Sequence, residues 1–182
     1  MTIQVNDTIY LEFLKEVHAA SLLDLVNTNR PYLKEWLPWV DHMKTLENAE
    51  NYIADCNKRA AANTDYAYAI IADNEMVGRI GLHHINPQNR IAEVGYWLAD
   101  GLQGRGIVTQ SCKALIDHGF VELGLNRIEI KCAVGNAKSC AIAEKLKFKR
   151  EGILQKAELL NGKFIDLYLY AMLQEEWERS TS

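Results

Sequence analysis

One succession of patterns in the middle of the chain constrains the fold more than any other part of the sequence: a strand, a glycine-rich turn, a long helix and a second strand. The strand patterns are Ile91–Leu98 and Arg127–Val134, and the helical pattern runs from about Thr109 to Leu123. Two strands of one sheet that are connected through a helix lie parallel to each other. The sequence therefore predicts one parallel strand pair, with the glycine-rich turn between its first strand and the helix.

The flanking patterns add further helices and strands. Before the central unit we predict a strand at Ile9–Leu14, a helix from about Val17, a short helix from Asn29 that ends before Pro38, a helix over about Leu46–Ala62, and strands at Tyr66–Ile71 and Met76–Ile85 joined at Asp73–Asn74. After it we predict a helix over roughly Ala137–Lys147 and a hairpin of Gly152–Glu158 and Phe164–Leu173 that turns at Asn161–Gly162. The predicted fold class is α/β, a mixed and mostly antiparallel sheet flanked by helices, in a single domain over residues 1–182.

The composition excludes several classes of partner. Lys and Arg total 20 against 24 acidic residues, so the net charge is -4, whereas direct nucleic-acid binding needs clustered positive charge. No apolar run is long enough to cross a bilayer, and the first residues lack the pattern of a signal peptide, so we expect a cytoplasmic protein without a membrane partner. The four cysteines show neither CxxC nor zinc-ligand spacing, which predicts free thiols.

The glycine-rich turn, Gly101–Thr109, is suited to binding an anion. Its glycines let backbone N–H groups converge on one point, and the helix that follows contributes the positive end of its dipole. Together with the positive charge of Arg105, these features predict a pyrophosphate site. The spacing matches neither GxGxxG nor the Walker loop, and from these residues alone a purely structural turn is equally compatible.

Three separated segments of the chain resemble one family. The spacing of Gln103, Gly106 and Val108 resembles the Q/R-x-x-G-x-G/A acetyl-CoA motif of the GNAT acetyltransferase superfamily. Asn136–Ser139, together with Glu144–Phe148, resembles the next motif of that superfamily in its RimJ/RimL branch. Asn29–Trp39 resembles the N-terminal signature of the same branch. Two positions depart from the pattern: Val108 stands where Gly or Ala is usual, and Lys147 replaces a Gly at the end of a helix.

This resemblance, which covers almost the whole chain, implies a GNAT fold, acetyl-CoA as co-substrate, and no metal. In such a fold the parallel strands splay near Gly95 and Asn136 and admit the pantetheine arm of CoA. The cofactor-binding residues that the resemblance implies are Tyr96, Trp97, Leu98, Gln103, Gly104, Arg105, Gly106, Ile107, Val108, Thr109, Asn136 and Ser139. Named members of this branch acetylate the N-terminal amine of ribosomal proteins, typically at a serine, and the resemblance implies such a reaction by direct transfer.

Glu93 is the candidate general base. Strand alternation places Glu93, Gly95 and Trp97 on one face of their strand and Val94, Tyr96 and Leu98 on the other. A glutamate on a central strand has either a catalytic role or an ion-pair partner. The resemblance implies that it removes a proton from the ammonium, directly or through water. The alternative is an ion pair with Arg79 or Lys131.

Ser139 is the candidate donor of a proton to the departing CoA thiolate. Many members of the superfamily use a tyrosine further along the same helix, but Ala143 occupies that stretch here. The alternatives for Ser139 are a helix-capping or solvent-facing hydroxyl, with water as the proton donor. Asn136 either caps the helix or binds the pantetheine amides. Cys140 is interpreted as a packing residue, because direct transfer needs no acyl-enzyme.

The acceptor site is the least defined part of the sequence. Tyr32, Trp36 and Trp39 either wall an acceptor groove or belong to the core, and His83 is a further candidate for lining the groove. His83 and His84 point to opposite faces of a strand, which disfavours a metal site. A protein N-terminus is the expected acceptor; the alternatives are a small amine, such as a polyamine or an aminoglycoside, or a CoA-binding module without turnover. A homo-oligomer is possible.

Overall fold

The structure is a computed structural model that describes residues 2–181, with side chains described for residues 2–179. It contains eight strands: β1 (Thr2–Gln4), β2 (Ile9–Phe13), β3 (Tyr66–Ala72), β4 (Glu75–Asn86), β5 (Ile91–Leu98), β6 (Arg127–Ala133), β7 (Lys149–Leu160) and β8 (Lys163–Leu173). The helices are α1 (Ala19–Lys34), α2 (Leu46–Ala61), α3 (Ile107–Val121), α4 (Ala137–Lys145) and α5 (Gln174–Thr181), with single 3-10 turns at Glu16–His18 and Val40–His42. Within these residues, no helix is both long and apolar enough to cross a membrane.

All eight strands form one sheet in the order β1-β2-β3-β4-β5-β6-β8-β7. Every neighbouring pair is antiparallel except β5 and β6, which are parallel and connected through α3. Their pairing covers only Ile91 with Arg127, Ala92 with Ile128 and Glu93 with Glu129, although β5 continues to Leu98. The predicted parallel pair and its separation beyond Glu93 are therefore confirmed.

Two apolar clusters cover the two faces of the sheet. The first packs α3 against the sheet through residues such as Leu82, Leu115 and Ile128, all 0% exposed. The second lies under α1 and α2 and includes the buried Trp97. Val94 belongs to the first cluster and Trp97 to the second, which confirms the predicted alternation along β5. Glu93 therefore faces the side of α1.

The separate helix predicted from Asn29 is wrong. A proline usually ends a helix because it lacks an N–H group, yet α1 runs from Ala19 to Lys34 with Pro31 inside its last turn. The buried positions of α1 explain its continuity, because they form one stripe at helical spacing through the proline: Leu22, Val26, Asn29 and Leu33. Burial of this stripe outweighs the local preference of Pro31.

Other differences concern the ends of elements. The sequence patterns missed β1 and α5, and β7 is longer than the predicted Gly152–Glu158 arm. The helix α4 ends at Lys145, and Lys147, at the position of the family's glycine, adopts a left-handed conformation with φ of 61°. The predicted tight turns at Asp73–Asn74 and Asn161–Gly162 are confirmed, since all four residues have positive φ.

Candidate active site

A cavity of about 300 Å³ opens where β5 and β6 separate. It is bounded by the end of α1, the two separated strands, the glycine-rich turn with the start of α3, the start of α4 and one residue of β7. It brings together ten of the residues singled out from the sequence: Tyr32, Trp36, Glu93, Tyr96, Trp97, Leu98, Gln103, Val108, Asn136 and Ser139. The chemistry-bearing positions of four distant segments therefore meet at one place.

The glycine-rich turn lies between this cavity and α3, and its shape depends on glycine. Gly101, Gly104 and Gly106 have φ of 79°, 79° and 78°, a conformation that side chains disfavour. Gly106 is the N-cap of α3, so the N–H groups of Ile107, Val108 and Thr109 have no partner within the helix. These groups fit an anionic phosphate. Gly104 and Arg105 lie in the same turn, outside the cavity wall.

Two side chains fix the turn to the rest of the fold. Gln103 accepts a hydrogen bond from the Gly101 N–H and donates one to the Ala99 carbonyl, both at 3.0 Å. Asn29, buried on α1, accepts a bond of 2.7 Å from the Asp100 N–H. The motif glutamine therefore supports the turn, and Asn29 is a second support whose role the sequence did not reveal.

The start of α4 is organised around Ser139. Asn136 caps the helix, since its Oδ1 accepts a 3.1 Å hydrogen bond from the Ser139 N–H. The Tyr96 hydroxyl of β5 lies 3.1 Å from the Ser139 carbonyl oxygen and 3.2 Å from its Oγ. Burial raises the pKa of Tyr96 well above its ordinary value, so the phenol is protonated. Ser139 thus has a protonated tyrosine beside it, although α4 itself carries no tyrosine.

Glu93 forms an ion pair with Lys131. The Lys131 Nζ lies 2.7 Å from Glu93 Oε2, across the gap between β6 and β5, and both side chains are partly exposed. The ion pair, the alternative interpretation of Glu93, is therefore present, with Lys131 as the partner. The pairing does not remove Glu93 from the cavity, which both residues line. It holds one carboxylate oxygen at a fixed position.

A second carboxylate, Glu158 of β7, lines the same cavity. Its pKa is raised, first by burial and then by the negative charge of Glu93. Among the described residues no hydrogen bond or ion pair engages its side chain. Glu158 could not be predicted from the sequence, because β7 pairs irregularly with β8 and its alternation does not show which residue faces the cavity.

The expected aromatic wall divides into two parts. Tyr32 and Trp36 line the cavity, and the Trp36 ring reaches within 3.6 Å of the place that a Cβ on Gly135 would occupy. Trp39 lies outside the cavity wall: its ring is stacked on Tyr52 with centroids 6.2 Å apart, next to Trp97 in the cluster under α1 and α2. Trp39 is thus placed as a core residue that backs the site.

His83 also lies outside the cavity wall, within a partly buried polar chain. Its Nδ1 is 2.9 Å from Asp65 Oδ1, and its Nε2 accepts from Arg79 Nη1 at 3.0 Å. Burial and the positive charge of Arg79 lower the pKa of His83 to about 4, so the ring is neutral. In residues 2–181, no group of three or more His, Cys, Asp or Glu side chains is placed to hold a metal ion.

The four cysteines are free and buried. Cys132 lines the cavity, and burial raises its pKa to about 12. A thiol of this kind is almost entirely protonated at neutral pH and is a poor nucleophile. Cys140 packs with its Sγ 3.8 Å from the Ala133 carbonyl oxygen. The site therefore favours a reaction without a covalent enzyme intermediate.

A parallel strand pair that opens beside a glycine-rich helix N-terminus defines a class of acyl-CoA-dependent transferases, and residues 9–149 match the acetyltransferase (GNAT) domain family. The chain belongs to this family. It is 35% identical over 178 residues to the putative ribosomal N-acetyltransferase YdaF of Bacillus subtilis, with 97% of each chain covered. It is 33% identical over 172 residues to the ribosomal-protein-serine acetyltransferase of Escherichia coli, covering 94% of this chain and 96% of that one.

A solved structure agrees with these relatives. The ribosomal-protein α-N-acetyltransferase RimL, in complex with coenzyme A, superposes with a TM-score of 0.93 at 32% identity, covering 97% of this chain and 99% of that chain. The chain is accordingly an N-acetyltransferase with acetyl-CoA as its co-substrate.

Proposed function

We propose that this enzyme transfers the acetyl group directly to the N-terminal α-amine of a protein, with a ribosomal protein as the acceptor. The similarity to a ribosomal-protein-serine acetyltransferase, which extends over 94% of this chain, supports the choice of acceptor. The observation that carries the mechanism is the meeting of Glu93, Glu158 and Ser139 in one cavity beside the split strands.

On the donor side, the proposal assigns the pyrophosphate of acetyl-CoA to the N–H groups that begin α3, from Ile107 to Thr109, with Arg105 as a nearby charge. Tyr96 to Leu98 of β5 pair with β4 but not with β6, so the backbone groups on their β6 side are available for the amides of the pantetheine arm. Acetyl-CoA supplies the thioester carbonyl and the thiolate leaving group. The carbonyl must lie near the carboxylates for an amine to reach it.

On the acceptor side, an amine is protonated at neutral pH and must lose a proton before it attacks. We assign this step to Glu93 and Glu158 acting as a pair, because both line the cavity and because burial, and after it the charge of Glu93, raises the pKa of Glu158. Lys131 keeps Glu93 in place. The pair attracts the ammonium and accepts one proton from it, directly or through water. The neutral amine then forms its bond to the acetyl carbon, and the second proton leaves the nitrogen to water as the carbon–sulfur bond breaks.

The leaving group needs a proton when the carbon–sulfur bond breaks. Ser139 is the proposed donor to the thiolate, and Tyr96 lies 3.2 Å from its Oγ, where the phenol can return a proton. Conversion of Ser139 to Ala tests this step. We expect turnover to fall by a larger factor than the affinity for acetyl-CoA, since Ser139 is also one of the implied cofactor-binding residues; equal turnover would leave water as the donor.

The acceptor is tested by measuring CoA release with a panel of amines. We expect turnover with peptides that begin with the N-terminal residues of ribosomal proteins, above all with serine, and none with the same peptides blocked at the α-amine. A preference for spermidine or an aminoglycoside would replace the protein acceptor with a small amine. Binding of acetyl-CoA without release from any amine would contradict the proposal as a whole.

A further inference from the structure

The strand β7 contains an irregularity next to the cavity. Leu154 pairs with Leu167 of β8, but the next pair joins Glu158 to Ile165. Between these two pairs β7 contains two more residues than β8. In a regular antiparallel ladder the residue opposite Ile165 would be Lys156. The bulge therefore places a carboxylate, rather than an ammonium group, at this position of the cavity wall.

One side chain stabilises the bulge. Lys156 has a φ of 50°, a left-handed conformation that is strained for a residue with a side chain. Lys156 is one of the bulge residues that have no partner in the pairing of β7 with β8. Its N–H group instead donates a 2.8 Å hydrogen bond to Asp166 Oδ1. The exposed Asp166 of β8 thus provides the acceptor that the displaced backbone needs.

The same residue also contacts the other side of the site. The Asp166 carbonyl oxygen accepts a 3.1 Å hydrogen bond from the Val134 N–H, just after the last pair between β6 and β8. Val134 begins the connection to α4, which carries Asn136 and Ser139. Asp166 therefore joins the bulge before Glu158 to the segment before Ser139.

We propose that Asp166 is a positioning residue for acetyl transfer: its carboxylate fixes the β7 bulge, and the bulge presents Glu158 instead of Lys156 to the cavity. This inference rests on the proposed function, in which Glu158 is one of the two carboxylates that accept the proton. Asp166 itself is not a wall residue of the cavity and acts through Glu158.

The first test is Asp166→Ala. We expect kcat to fall about tenfold, a part of what a positioned acid–base group contributes. The KM for acetyl-CoA should be unchanged, because the substitution removes the side-chain hydrogen bond to Lys156 and keeps the backbone contact with Val134. The matched control is Asp55→Ala, which removes an exposed carboxylate paired with Lys58 on α2. Wild-type kcat in Asp166→Ala would overturn the inference.

Two further variants separate positioning from stability. Asp166→Asn keeps an oxygen acceptor for the Lys156 N–H, so we expect it to retain most of the activity that Asp166→Ala loses. Lys156→Gly in the Asp166→Ala background should restore part of kcat, because glycine adopts the left-handed conformation without strain. Equal losses in Asp166→Asn and Asp166→Ala would contradict a role through this hydrogen bond.

The decisive experiment combines Asp166→Ala with Glu158→Gln. If Asp166 acts through Glu158, the double variant is no slower than Glu158→Gln alone, whereas independent roles multiply the two losses. A slow Glu158→Gln with a fully active Asp166→Ala would overturn the inference and leave the proposed function standing. Full activity of Glu158→Gln would instead remove Glu158 from the proposed mechanism, and the inference with it.

Discussion

At the scale of single residues, the site is defined by how its two carboxylates differ. Glu93 is paired with an ammonium group at 2.7 Å, whereas Glu158 is half-buried and, among the described residues, has no such partner. Burial disfavours the charged form of Glu158, and the charge of Glu93 disfavours it further. A carboxylate of raised pKa is a stronger base than an ordinary one.

This difference predicts the pH dependence of the enzyme. In wild type, kcat/KM falls as the pH decreases through the raised pKa of Glu158, because a protonated carboxyl cannot accept a proton. Glu93→Gln removes the neighbouring negative charge, so the fall moves to lower pH. The freed ammonium of Lys131 acts in the same direction. The measurement is the pH profile of kcat/KM for both enzymes.

Two results would contradict this account of the carboxylates. The fall in kcat/KM would stay at the same pH in Glu93→Gln if Glu93 did not influence Glu158. Glu158→Gln would keep the wild-type profile if Glu93 alone accepted the proton. The exposed Glu47→Gln, on the first turn of α2, is a suitable control because it changes the same side chain outside the cavity.

At the scale of elements, the polar chain of His83 links β4 to the end of the loop after α2. The imidazole lies over two glycines of adjacent strands: a Cβ on Gly81 or on Gly95 would come within 3.1 Å of it. Asp65 and Arg79 occupy its two nitrogens. The ring therefore fills space that side chains would otherwise take, and a charged ring would have Arg79 beside it.

This arrangement makes stability depend on pH. The folded pKa of His83, about 4, lies below the ordinary histidine value of 6.5, so between these pH values the unfolded chain binds a proton that the folded chain does not. The contribution of His83 to the free energy of unfolding is therefore fully present above pH 6.5 and is lost as the pH decreases toward 4. The loss from this group is about 3 kcal/mol in the free energy of unfolding.

The test compares denaturant unfolding at several pH values. We expect His83→Gln to be less stable than wild type near neutral pH and to lose less stability on acidification. The exposed His42→Gln is the control and should keep the wild-type dependence. The same slope in His83→Gln and in wild type would show that other groups dominate the acid response.

Elements were predictable from the sequence where local and tertiary preferences agree. The parallel pair, the glycine-rich turn and the two tight hairpin turns each have a local chemical reason, and all are confirmed. The helix α1 was divided wrongly because its continuity through Pro31 depends on a buried stripe that only packing reveals. The bulge of β7 depends on Asp166, ten residues further along the chain, and its alternation alone could not place Glu158.

At the scale of the whole molecule, most of the site residues predicted from distant segments lie around one cavity. The sequence did not show which of them line the cavity and which lie behind it. Tyr32 and Trp36 line the cavity while Trp39 and His83 stand behind it, because helix and strand periodicity give the direction of a side chain and not its depth. The catalytic roles of Glu93 and Ser139 stay predictions, as does a single domain over residues 1–182.

Acetyl-CoA binding should stabilise the whole fold. A ligand at a hundredfold excess over its Kd adds about 2.7 kcal/mol to the free energy of unfolding. We expect a clear rise in Tm for wild type and a smaller one for Gly106→Ala, since φ of 78° at the N-cap of α3 strains any side chain. Gly152→Ala, where nothing lies within 4 Å of the new Cβ, serves as the control. Equal rises in all three proteins would exclude the turn from binding.

The separation of β5 from β6 has a consequence for the choice of acyl group. Strand backbone offers hydrogen bonds to the amides of the pantetheine arm and to the thioester carbonyl, and these groups are common to every acyl-CoA. Affinity gained along the strands therefore cannot distinguish an acetyl group from a propionyl or a succinyl group. Discrimination by acyl length and charge must come from the side chains that line the cavity, where Trp36 restricts volume and Glu93 with Glu158 disfavours an acidic acyl chain.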